Sequence, residues 1–154
     1  MIGFRKGIQI ALHDMIPESL RSAYLAAIYR FGDGPWALEL HPGRHCAALQ
    51  RWMGDSGWRS AAVLTAFNPR GERNRAEFNY GAQHRIADAV AARGLPALGG
   101  QNLDPAGTWP PEDSLLIGNL GLAAARELAR EFNQLAFLWS DSSAVPGLYA
   151  ADAD

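Results

Sequence analysis

"SAAVLTAFNPRGERN", residues 60–74, decides how the rest of the chain is read. From Ser60 to Phe67 the residues form a nearly continuous apolar run, closed by the turn formers Asn68 and Pro69. Such a run is short for a helix and has the length of a strand covered on both faces. Pro69 disfavours a helical backbone at Asn68, so the strand is expected to stay extended to its end, with Asn68 projecting past the sheet edge. Asn74, with Glu77 three positions on, has the form of a capping box, which predicts a helix over 75–93 that buries Phe78, Ala82, Ile86, Ala89 and Val90 and is capped by Gly94.

Working outward, "WALEL" at 36–40 alternates like a short strand, and 44–53 reads as a helix with Cys46, Leu49 and Met53 on one stripe. Leu20, Ala23, Tyr24, Ala27, Ile28 and Phe31 recur at helical spacing after Pro17, predicting a first helix that runs to Phe31. On the other side, "GGQNLDPAGTWPPED" at 99–113 is the least regular stretch and reads as a long loop. "SLLIGNL" then reads as a strand, 121–132 as a helix, and "QLAFLWS" at 134–140 as a last buried strand. Helices alternating with strands predict an α/β fold: one domain with a mixed β-sheet of about five strands covered by about four helices. Residues 1–14 are expected to be a disordered N-terminal extension, with Met15 as an alternative start, 15–141 the globular domain, and 142–154 a frayed tail.

The composition of the 154 residues, 48% hydrophobic, 19% charged and 10% aromatic, is that of a globular protein. A net charge of -2 supplies no general attraction to nucleic acid or acidic membranes. Arg5 and Lys6 precede an apolar run too short for a secretion signal, and no segment approaches the roughly 20 apolar residues of a membrane span. With Cys46 as the lone cysteine, the expectation is a cytoplasmic protein without internal disulfides. No phosphate-loop, dinucleotide, nucleophile-elbow or nucleic-acid motif occurs, and no cofactor is expected. His41, His45 and Cys46 are close in sequence, but Pro42 and Gly43 spoil a helical metal-ligand spacing, so no metal is expected.

Two polar stretches could carry chemistry. At the end of the 60–67 strand, Thr65, Asn68, Arg70 and Arg75 stand at a strand terminus and a helix start, positions that suit an anionic ligand. Arginines outnumber carboxylates there, favouring a phosphate or carboxylate; the plain alternative is a turn, a cap and a solvated basic face. In the second stretch, Glu112 lies between prolines and a strand, where a raised pKa would make it a general acid or base. It could equally pin its loop by accepting backbone amides. Trp109 could stack on a ligand or plug the core. His84, one turn beyond the polar opening of the 75–93 helix, is a second acid–base candidate against the commoner reading of an exposed helix histidine.

Tyr24 and Tyr29, "TAFNP" at 65–69, Asn79, "WPPEDS" at 109–114 and Gln134 together resemble the pattern of a bacterial family of small domains of unknown function. The resemblance spans about 20 to 140 and adds Asn79 and Gln134 to the candidate ligand-binding residues. It implies a common fold and site location, and brings no activity with it. The resulting expectation is a polar pocket for a small anionic, nucleotide-like or phosphorylated ligand, with hydrolysis as one chemistry. The alternative is a non-catalytic protein-interaction or regulatory module with an unknown protein partner.

Overall fold

In the computed structural model, which describes residues 16–152, the apolar run becomes a strand with every residue buried, Ser60–Leu64. In chain order the elements are α1 (Glu18–Ala26), β1 (Ile28–Phe31), β2 (Leu38–Leu40), α2 (Ala47–Ser56), β3 (Ser60–Leu64), α3 (Ala76–Ala92), β4 (Ala97–Leu103), β5 (Glu112–Gly118), α4 (Leu122–Glu131), β6 (Ala136–Asp141) and β7 (Gly147–Ala150). Short 3-10 turns occupy Gly34–Trp36 and Pro69–Gly71. The strands form one sheet in the order β2-β1-β4-β5-β3-β6-β7.

β3 lies between β5 and β6, pairing Ala62 with Ile117 on one side and with Trp139 on the other. Its alternation sorts the core into two layers. Ala62, Leu64, Ile117 and Phe137 pack against Ala82, Ile86 and Val90 of α3 and Leu128 and Ala129 of α4. Phe31, Leu40, Val63, Leu116 and Leu138 on the opposite face pack against Leu49 and Met53 of α2, with Tyr24 of α1 beside them. Helices therefore cover both faces, which is why a central strand can be apolar throughout. A Cβ at Gly100 would run into the Arg30 carbonyl oxygen and the Phe31 ring, so the β1–β4 contact depends on that glycine.

Among the described residues, the single α/β domain and its four helices agree with the sequence reading, while the sheet differs. It has seven strands and all its pairings are antiparallel, not mixed. β1 was hidden because Ile28 and Phe31 also fit the helical spacing of α1. Ala27 takes an extended backbone (ψ 151°) and ends the helix, after which Tyr29 and Phe31 turn inward and Arg30 outward. Part of the expected 99–113 loop is strand: β4 runs through Gln101 and Asn102, paired to both β1 and β5, leaving 104–111 as the loop. The expected frayed tail instead carries β7, anchored by buried Leu148 and Ala150 against β6. α2 starts later than expected, with Cys46 as its N-cap accepting from the Leu49 amide (3.4 Å), not as a member of its stripe. The expected N-terminal extension, 1–14, and the alternative start at Met15 lie outside the described residues. Among the described residues no helix is long and apolar enough to cross a membrane.

Candidate functional site

Beyond β3 the chain turns inward. Asn68 adopts the left-handed conformation (φ 48°, ψ 59°), not the extended one expected before a proline, and is buried. Pro69 excludes only the right-handed helical region, and asparagine tolerates the left-handed basin better than most residues. What holds it there is Asn79 of α3. The Asn68 amide N–H donates to Asn79 Oδ1 (2.9 Å), and Asn79 Nδ2 donates back to Asn68 Oδ1 (2.9 Å). Asn79 shares a buried stripe with Ala82, Ile86 and Val90, where an unpaired amide would be costly; the reciprocal pair removes that cost.

The Asn74 amide also donates to Asn68 Oδ1 (3.0 Å), so that oxygen is fully used. Asn74 does not cap α3, whose N-cap is Arg75 without a side-chain cap bond. The remaining group, Asn68 Nδ2, donates to Glu112 Oε1 (2.8 Å). One asparagine thereby links the end of β3, the start of α3 and the first residue of β5.

Glu112 pairs across the sheet with Asn102, and Asn102 with Tyr29, so the three side chains form a row on one face. Above that row lies a cavity of about 80 Å³, roofed by Leu20, Ala23 and Tyr24 of α1 and bounded by Thr65, Phe67, Asn68, Trp109 and Gln134. Gly71 lets the turn reach the roof: at φ +72° it has no Cβ, and one would sit 2.5 Å from Leu20 Cδ1. Burial raises the Glu112 pKa, and the Asn68 hydrogen bond opposes this only in part. The Tyr24 phenol is pushed up to about 12 by burial and by the Glu112 charge, and Tyr29 is raised by burial first and then by Tyr24 and Glu112. The Tyr29 hydroxyl donates to the Tyr24 carbonyl (2.8 Å), tying β1 to the last turn of the roof.

The 104–111 loop forms the rim, and its pinning carboxylate is Asp104, not Glu112. Asp104 accepts from the backbone amides of Ala106, Thr108 and Trp109, each at 2.9 Å, which lowers its pKa. The Arg73 guanidinium lies 4.9 Å over the Trp109 ring and donates to the Thr108 carbonyl. Thr65 and Gln134 serve the frame as well as the lining. Thr65 Oγ1 donates to the Asp113 carbonyl (2.6 Å), and Gln134 Nε2 to the Phe67 carbonyl (3.1 Å).

Of the residues singled out from sequence, Thr65, Asn68, Trp109, Glu112 and Gln134 meet around one cavity, and Asn79 stands directly behind Asn68. Arg70, Arg75 and His84 are exposed and lie outside the lining. Among the described residues the lining holds two carboxylates, Glu112 and Asp104, and no Lys, Arg or His. Asn102 and Gln83 were missed. Gln83 Oε1 accepts from the Ala66 amide (2.9 Å), and its only sequence signal is a polar residue next to the buried Ala82. Asn102 was legible only through the register of β4. Among the described residues no group of three or more His, Cys, Asp or Glu is arranged to hold a metal ion.

Residues 64–137 match the model of a family described as protein of unknown function (DUF3293), in keeping with an uncharacterised domain family. The matched segment begins at the end of β3 and ends inside β6, so it takes in Asn68, Asn79, Glu112 and Gln134. No curated protein and no solved structure matches the chain at a significant level.

Proposed function

We propose that the chain binds a small organic molecule in the cavity between α1 and the sheet, and that Glu112 is the group that meets its polar end. The observation that carries this is the state of Glu112: a half-buried carboxyl in a cavity wall, held by a single hydrogen bond from an asparagine whose backbone N–H and Oδ1 are already committed. A purely structural carboxylate would be expected to resemble Asp104, saturated by backbone amides. A carboxyl of raised pKa, oriented by a fixed amide, is also suited to proton transfer near neutral pH. In a hydrolytic reaction it would take the proton from the attacking water.

The phosphorylated ligand suggested by Arg70 and Arg75 finds less support here, because those residues are exposed and lie outside a lining that is itself acidic. The competing reading, a protein-interaction module, draws on the exposed Trp36, Phe78 and Tyr80. A metabolite panel screened by thermal shift separates the two, since a ligand of the folded state must raise the melting temperature. Hits should disappear in Ala23→Phe, which fills the cavity. A broad panel without hits, or hits indifferent to that substitution, would remove the cavity from consideration.

A further inference from the structure

Resting on the reading of the cavity as a small-molecule site, we infer that its ligand is a small organic cation, an amine or amidine on an apolar or aromatic body, held between Glu112 and Asn102. Hydrogen-bond accounting leads there. Within the lining, the Tyr29 hydroxyl donates to the Tyr24 carbonyl, Thr65 Oγ1 donates to the Asp113 carbonyl and accepts from the Phe67 amide, and the Asn68 backbone N–H and Oδ1 are both taken. Gln134 Nε2 is spent on the carbonyls of Phe67 and Phe132, and Asp104 on three amides. Two acceptors of the lining are left short of partners. Glu112 receives one bond, and Asn102 Oδ1 is buried with no partner among the described residues.

These two leftover acceptors belong to directly paired residues of β4 and β5, whose Cβ atoms stand about 4.5–5.5 Å apart on one face. A ligand that satisfies both must bring at least two donor hydrogens on one centre or on neighbouring ones, as an ammonium or amidinium does. Charge selects the cation further: among the described residues no Lys, Arg or His lines the cavity, so a neutral donor would leave an ionised Glu112 uncompensated. Tyr24, Phe67 and Trp109 supply aromatic walls for the body of such a ligand and faces that attract a positive centre.

The test uses three probes of similar size, benzamidine, benzyl alcohol and phenylacetate, titrated into the intact chain by calorimetry and by chemical-shift mapping of the Asn102 and Gln134 side-chain amides. Benzamidine should bind tightest and phenylacetate not at all. Glu112→Gln should weaken benzamidine at least about 10-fold while leaving benzyl alcohol within about 2-fold, and Asn102→Ala should weaken benzamidine by about 3- to 10-fold. Benzamidine affinity should rise with pH with release of a proton. Of the groups facing the carboxyl, Tyr24 and Tyr29 stay neutral and Asp104 stays ionised through that range, so the proton comes from Glu112.

Phenylacetate binding as well as benzamidine, or benzamidine indifferent to Glu112→Gln, overturns the cation assignment. The cavity itself survives that result if the shifts still map to Asn102 and Gln134 and vanish in Ala23→Phe. No binding by any probe, or shifts confined to other surfaces, overturns both.

Discussion

Asp104 and Glu112 bracket the same loop, one at each end, and are opposites in every physical respect. Asp104 is tied into its own loop by three main-chain amides, and its pKa falls. Glu112 is half-buried at the start of β5 with one side-chain amide for company, and its pKa rises. Backbone amides make a carboxylate cheap to keep ionised and therefore inert, whereas burial with a partial partner makes it sensitive to what arrives next to it. Within one turn of chain, the protein separates a carboxylate that shapes the rim from one that faces the cavity.

The largest test of this contrast removes the support behind Glu112. Asn79→Ala leaves the Asn68 amide N–H and Oδ1 short of partners in a buried site and should cost about 2–4 kcal/mol in urea unfolding. A loss under about 1 kcal/mol would mean that water replaces Asn79 and that Asn68 is not fixed as described.

Next in size is the pH dependence. The folded pKa of Glu112 lies above the ordinary glutamate value, so its carboxyl carries no penalty at low pH and progressively destabilises the fold as pH rises through that ordinary value toward the raised one. Glu112→Gln should abolish that slope and be at least as stable as the wild type at neutral pH. Parallel stability–pH curves for the two proteins would contradict the raised value.

Asp104→Asn probes the opposite slope. Its folded value lies below 3.8, so its contribution is present above that pH and lost as pH falls through the lowered value. The variant should be indistinguishable from the wild type in strong acid, and at neutral pH should show faster hydrogen exchange at Ala106, Thr108 and Trp109. Protection unchanged at those three amides would free the rim from Asp104. The smallest effect belongs to Arg73→Ala, which removes an exposed cation–ring contact worth about 0.5–1 kcal/mol at most and should loosen Trp109 without moving the Glu112 titration.

What the sequence showed best was whatever depended on local pattern. The apolar run of β3, the helical stripe of α3 and the clustering of polar residues at TAFNP and WPPEDS were all visible, and Thr65, Asn68, Trp109, Glu112 and Gln134 do converge. What escaped were features set by partners distant in the chain. β7 exists because β6 offers it an edge, and Asn102 faces the cavity because it pairs with both Tyr29 and Glu112. The arginines show a related limit: their number was legible, but whether they would line the cavity was not. Asn68 shows the limit most sharply, since the rule for a residue before proline excluded one conformation and the choice between the rest lay with Asn79, a residue on another element.

The roof of the cavity has a kinetic consequence. No residue of α1 is buried, it has no side-chain cap at its start, and the Tyr29 hydroxyl grips only its last turn. Segments with so few anchoring contacts open at a lower free energy than the sheet beneath them. A ligand bound under α1 would therefore leave at a rate set by how often that short helix lifts, and its residence time would lengthen or shorten with substitutions at Leu20 or Tyr24 even where the contacts to Glu112 are untouched.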